Sequence, residues 1–129
     1  MIVKLRIPAA VALVAFAAIS SAQNAYVSGL SANFVTVVNT ATNTSIGTVL
    51  VGNLPRGVVV NPAGTFAYVA VSGTTNVAVI STATSTVATN ITVGSQPYAV
   101  ALNPAGTRLY VSNQGSNTVS VVDTSNNTV

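Results

Sequence analysis

The sequence predicts an all-β chain built from β-propeller blades, four-stranded antiparallel meanders that recur every 42 residues. Three observations carry this. Tyr26-Val27, Tyr68-Val69 and Tyr110-Val111 are each separated by 42 residues, and so are many of their neighbours. Val, Ile, Thr and Tyr alternate with small or polar residues at a period of two, the pattern of half-buried strands. Turn-forming clusters punctuate every period, whereas helical repeats of this length would alternate at 3.6 residues.

The middle copy defines the elements. A first strand is expected at about 57–61, a second at 66–71, a third at 76–81 and a fourth at 87–93. Asn61-Pro62-Ala63-Gly64 separates the first two: Pro62 fixes its own φ and Gly64 is free to take a positive one, so the chain can reverse tightly. Ser72-Gly73-Thr74-Thr75 makes the second reversal and Thr82-Ala83-Thr84-Ser85 the third. Gly94-Ser95-Gln96-Pro97 crosses to the next blade, with Pro97 at a strand start, where a missing N–H does least harm. The same offsets map Pro55 onto Pro97, Asn61 to Thr65 onto Asn103 to Thr107, and Val35 and Val37 onto Val77 and Val79 and then Val119 and Val121. Thr40, Thr82 and Thr124 also share one phase. No stretch after Gln23 has the periodicity of a helix.

Ahead of the repeats, Lys4 and Arg6 precede an apolar run from Ile7 to Ile19, followed by Ser20-Ser21-Ala22. A basic start, an apolar centre and small residues at −3 and −1 form a secretory signal pattern with cleavage before Gln23. A spanning helix is the alternative, but 13 residues cover only about 20 Å of a hydrocarbon core roughly 30 Å thick. The expected organisation is therefore a signal peptide over 1–22 and a repeat region over 23–129, with blades at about 24–53 and 54–95 and a partial blade at 96–129. On this phase the processed chain enters the first blade at its second strand. About two and a half blades are present, a partial propeller, because a ring typically needs four to eight.

Composition narrows the chemistry. The chain has a net charge of +3 and only 4% charged residues, and it contains no Cys, His or Trp. Removing the signal peptide leaves Arg56, Arg108 and Asp123, a net charge of +1. Disulfides, Cys or His metal sites, catalytic triads and paired carboxylates are excluded over these residues. Two separated cations cannot neutralise a run of phosphates, so nucleic acid is not an expected partner, and no polybasic membrane patch exists. No catalytic, cofactor-binding or metal residue is assigned, and no cofactor is expected.

Individual candidates have ordinary structural roles. Asp123 ends a strand before Thr124-Ser125-Asn126, where aspartate commonly accepts backbone hydrogen bonds. The three tyrosines share one phase and are expected to pack between blades. Arg56 and Arg108 lie in different phases, so they form no repeated ligand element; Arg56, beside Pro55 at a blade crossing, is the better candidate for a binding surface. Asn43-Thr44-Ser45, Asn90-Ile91-Thr92 and Asn126-Asn127-Thr128 match the glycosylation acceptor pattern, which a chain rich in Thr and Asn also produces by chance.

These residues resemble the YVTN-type β-propeller repeat family of secreted or surface proteins. The likeness rests on strands ending Asn-Pro-Ala-Gly-Thr, then Tyr-Val-(Ser/Ala), then Asn-Thr-Val-Ser-Val-Val-Asp-Thr; residues 97–124 fit best, with Tyr110-Val111-Ser112-Asn113 nearest the name-giving tetrad. Tyr68-Val69-Ala70-Val71 and Tyr26-Val27-Ser28-Gly29 keep only the Tyr-Val, and Ser81 and Asn39 stand where the third copy has Asp123. The resemblance implies a secreted or cell-surface, non-catalytic scaffold that binds a protein or surface glycan; the phase of the repeat and the count of blades point to the N-terminal portion of a longer propeller. The alternative is the inert arc of a lactonase-like or quinoprotein-like propeller enzyme whose active site lies in other blades. Nearly uncharged strands without Lys or Glu gatekeepers predict that the isolated chain self-associates.

Overall fold

The computed structural model describes residues 11–16 and 24–129 of the chain, and these form eleven strands and no helix. The first sheet contains β1 (Val11–Phe16), β2 (Asn24–Gly29), β3 (Phe34–Asn39) and β4 (Thr44–Leu50). The second contains β5 (Pro55–Val60), β6 (Phe66–Val71), β7 (Asn76–Ser81) and β8 (Thr86–Thr92), and the third β9 (Pro97–Leu102), β10 (Arg108–Asn113) and β11 (Thr118–Asp123). Within each sheet every strand pairs antiparallel with the next in sequence, so each sheet is a simple meander. The leading strands of successive sheets lie side by side, β5 against both β1 and β9.

The second and third strands of the middle sheet match their expected bounds, while its first begins two residues before the expected Gly57. The pairing of β5 with β6 is irregular between Pro55 and Val58, a bulge that carries pairing as far as Pro55. The leader expected over 1–22 falls outside the described residues except for Val11–Phe16. That segment pairs with β2 in the first-strand position, Val14 opposite Val27 and Ala15 opposite Tyr26. With this segment the first sheet has four strands; the expected entry at the second strand concerns the chain processed before Gln23. In the third sheet the chain folds back after β11 in a single bridge from Asp123 to Thr128.

Register explains why both faces of each sheet are apolar. Tyr26 lies opposite Val37 and Ser28 opposite Val35, whereas Ala25 lies opposite Val38 and Val27 opposite Thr36. Directly opposed residues point to the same side, so each sheet has a tyrosine face and, on its other side, a face of smaller aliphatic residues. The tyrosine face of the first sheet, Tyr26, Val35 and Val37, packs in one core with Ala67, Val69 and Ile80 of the second. Forty-two residues on, Tyr68, Val77 and Val79 pack with Leu109, Val111 and Val122 of the third. One sheet-to-sheet interface is thus built twice from equivalent positions.

The turns at one end are locked by side chains. Asn61 Oδ1 accepts from the Thr65 and Phe66 amides at 2.8 and 3.0 Å, and the Gly64 amide donates to the Asn61 carbonyl at 2.8 Å with Gly64 at φ 69°. Asn103 and Gly106 repeat the arrangement, Asn103 Oδ1 accepting from the Arg108 amide at 2.9 Å. The Asn-Pro-Ala-Gly segments are the tight reversals that their residues predict.

Candidate functional site

The opposite end of the strands carries an open recess. There the crossing from β4 to β5, the β6–β7 turn, the crossing from β8 to β9 and the β10–β11 turn border an open cleft of about 660 Å³, with Arg56 in its lining. Its walls are zipped together by backbone bonds that obey the repeat. The Ser72 amide donates to Leu54 O at 2.9 Å and the Gly73 amide to Asn53 O at 3.0 Å; the Gln114 amide donates to Gln96 O at 2.9 Å and the Gly115 amide to Ser95 O at 3.0 Å. Close approach explains the glycines. A Cβ on Gly73 would lie 2.7 Å from Asn53 O, and one on Gly115 2.7 Å from Ser95 Oγ.

Two residues of this lining are held in an unfavourable backbone region. Leu54 and Gln96, equivalent positions of successive crossings, have φ of 57° and 51°. Left-handed conformations of residues other than glycine are uncommon and each costs on the order of 1–2 kcal/mol, so the surrounding hydrogen bonds must enforce them.

Arg56 lies on β5, half-buried, with its carbonyl accepting from the Ser28 hydroxyl at 2.5 Å. Its guanidinium carbon sits 5.2 Å from the centre of the Tyr98 ring, within cation–π range. Arg56 and Tyr98 are themselves 42 residues apart, the second residues of neighbouring leading strands. Nε of Arg56 is buried and has no hydrogen-bond partner among the described residues.

The other charged pair lies at the far end of the strands. Arg108 forms an ion pair and hydrogen bond with Asp123, its register partner on β11. The Ser125 amide and hydroxyl both donate to Asp123 Oδ1, at 2.9 and 2.6 Å, which is the turn role expected for this residue. Those bonds, with Arg108, hold the Asp123 carboxyl down to about 2. Asp123 therefore belongs to a surface turn remote from the cleft.

The tyrosines divide. Tyr26 and Tyr68 are buried between sheets, and burial pushes both phenols above their ordinary pKa, with the Asn24 side chain partly opposing it at Tyr26. Tyr110 is 44% exposed, beside Val119 at 63% and Val121 at 44%. Asn43, Asn90 and Asn126 of the acceptor patterns are all exposed. Asn113, the last residue of the Tyr-Val-Ser-Asn tetrad, is buried, and its Nδ2 donates to Ser120 and Thr118 at 2.9 and 3.1 Å, tying β10 to β11.

Among solved structures, the chain is similar to hydrazine synthase from Kuenenia stuttgartiensis, with a TM-score of 0.82 and 26% identity. The fold is that of successive β-propeller blades. The match covers 89% of this chain and 33% of the neighbour, so the chain spans about a third of that structure's length. No family model and no curated protein matches the sequence. In blade terms, the cleft lies at the mouth of the junction between the second and third blades, beside the crossing that leads into Arg56.

Sequence reasoning missed two partners. Tyr98 differs in type from Arg56, so a search for identical residues at the 42-residue offset passes over the pair. The Arg108–Asp123 bond could have been found from the strand register, which places the start of β10 opposite the end of β11.

Proposed function

We propose that this chain is a secreted, non-catalytic binding scaffold of the YVTN type, and that its tyrosine face on the third blade is the seat of a further blade. One observation carries the second part. Tyr68, Val77 and Val79 are at most 2% exposed beneath the third blade, whereas their equivalents Tyr110, Val119 and Val121 are 44–63% exposed. An apolar surface that the same chain twice covers with a Leu/Ala-Val-Val/Ile face has a specified complement. Because each blade buries its faces only against neighbours, the exposed one is an association surface until that complement arrives.

The scaffold reading is supported by the side-chain inventory. The sequence has one acidic side chain and neither His nor Cys, so paired general acids and bases have no residues here. Export is supported by the Lys4 to Ala22 pattern.

Light scattering of the isolated chain tests the association surface. Wild type is expected to self-associate at micromolar concentration, and a Val119→Ser/Val121→Ser variant to lose that behaviour; a wild-type monomer that unfolds cooperatively overturns it. Reading the native transcript past the Val129 codon tests the further blade, which an immediate stop without additional repeats excludes.

A further inference from the structure

We propose that the cleft over Arg56 is a binding site for a carboxylate-bearing sugar, a uronic acid unit. This deepens the binding-scaffold reading and rests on it, but not on the further blade, because the cleft is built wholly from the crossings and turns of the second and third blades.

Charge gives the first argument. The described cations are Arg56 and Arg108, and Asp123 neutralises Arg108 at the opposite end of the strands. Arg56 consequently brings an uncompensated positive charge to the lining of the recess. One guanidinium matches one carboxylate in charge and in its paired donor geometry. A phosphate dianion would be left half-neutralised, and a polyphosphate chain more so.

The guanidinium is also poised. Tyr98 supports it, its ring centre 5.2 Å from the guanidinium carbon. Its buried Nε–H is unpaired among the described residues, so no protein acceptor there offsets the positive charge.

The rest of the lining selects what accompanies the carboxylate. Ser72, Ser95, Gln96 and Gln114 offer hydroxyls and amides, which both donate and accept and carry no charge. Such groups suit a ring of hydroxyls. The volume of about 660 Å³ falls within the range of small-ligand sites and exceeds what a bare inorganic anion fills. Because the positions of Leu54 and Gln96 depend on enforced left-handed backbone, the walls are held in shape before any ligand arrives.

The test is saturation-transfer difference NMR, which observes the ligand and tolerates a self-associating protein. Glucuronate, glucose and N-acetylaspartate amide are titrated against the full chain. Glucuronate is expected to give the strongest signal, and Arg56→Gln to weaken its binding about tenfold or more, the loss of a charge-assisted pair. Arg108→Gln is expected to leave binding unchanged. Gln114→Ala, at an exposed turn, is expected to weaken it by a smaller factor, which keeps the test decisive if Arg56→Gln folds poorly. Equal signals for glucose and glucuronate, or binding indifferent to both the Arg56 and Gln114 changes, overturn the site. A stronger, Arg56-dependent signal from N-acetylaspartate amide overturns the sugar while keeping a binding scaffold, and would make this an acidic-peptide cleft.

Discussion

The hydroxyl of Thr82 donates to the main-chain carbonyl of Gly64 at 2.7 Å, and it also reaches the Thr65 carbonyl at 3.0 Å. The turn after the third strand is thereby clamped to the turn after the first. Thr124 does the same to Gly106 at 2.6 Å one blade later, so the clamp is a property of the repeat. Thr82→Val preserves shape and β-branching but removes the donor. It is expected to cost about 1 kcal/mol, the net worth of an ordinary hydrogen bond, read as a lower denaturation midpoint with an unchanged m-value. No change would mean that water replaces the clamp without loss.

The equivalent tyrosines should behave unequally. Tyr68 fills the junction of the second and third blades, so Tyr68→Ala leaves a cavity and is expected to destabilise by roughly 3–5 kcal/mol, the range for large aromatic truncations. Tyr110→Ala removes a partly exposed ring and is expected to change stability by about 0.5 kcal/mol or less. Its effect should appear in light scattering, as weaker self-association. Thermal unfolding of the two variants in parallel checks the contrast, and equal losses would argue against it.

How much of this was legible in the sequence depended on whether an element signals through its own residues or through its neighbours. β6 and β7 carry strict alternation between recognisable turns, and their bounds could be read directly. β5 could not, because its first residues pair through a bulge that no local pattern announces. Val11–Phe16 has the composition of an export leader and equally that of a blade strand, so its register with β2 could not be read from its residues. The tyrosines were legible as packing residues by phase; that Tyr110 stays partly exposed depends on what packs beside it, which its own residues do not announce. Arg56 was legible as a candidate from its place at a crossing, while Tyr98 and the polar walls of the cleft come together only when the loops meet.

Two glycines make a second contrast. Gly57 lies against the leading strand of the next blade, and a Cβ there would come within 2.9 Å of Tyr98 O and 3.0 Å of Ala99 Cα. Backbone cannot swing aside as a flexible side chain can, so Gly57→Val is expected to destabilise by about 1–3 kcal/mol, as overpacking does. Because it would displace Tyr98, it should also perturb the support of Arg56. A Cβ on Gly47, in β4, meets nothing within 4 Å. Gly47→Ala is expected to stabilise by about 0.4–1 kcal/mol, chiefly by restricting the unfolded chain. Chemical denaturation of the pair measures both signs.

Asp123 is the one acidic side chain of the protein, which makes its titration unusually easy to isolate. In the folded chain the Ser125 and Arg108 hydrogen bonds lower its pKa from 3.8 to about 2. A depressed folded-state pKa means that the unfolded chain takes up the proton first as the pH falls. The contribution is therefore complete above the unfolded value and disappears as the pH drops through the folded one. Stability is expected to be flat between about pH 5 and 7, where no side chain of this composition titrates, and to decline between about pH 4 and 2. Asp123→Asn should flatten that decline, and 1 M salt should reduce it by screening the exposed Arg108 partner. Denaturation midpoints across this range in wild type and variant decide the matter: an undiminished acid-side slope in Asp123→Asn would assign it to the terminal carboxylate instead.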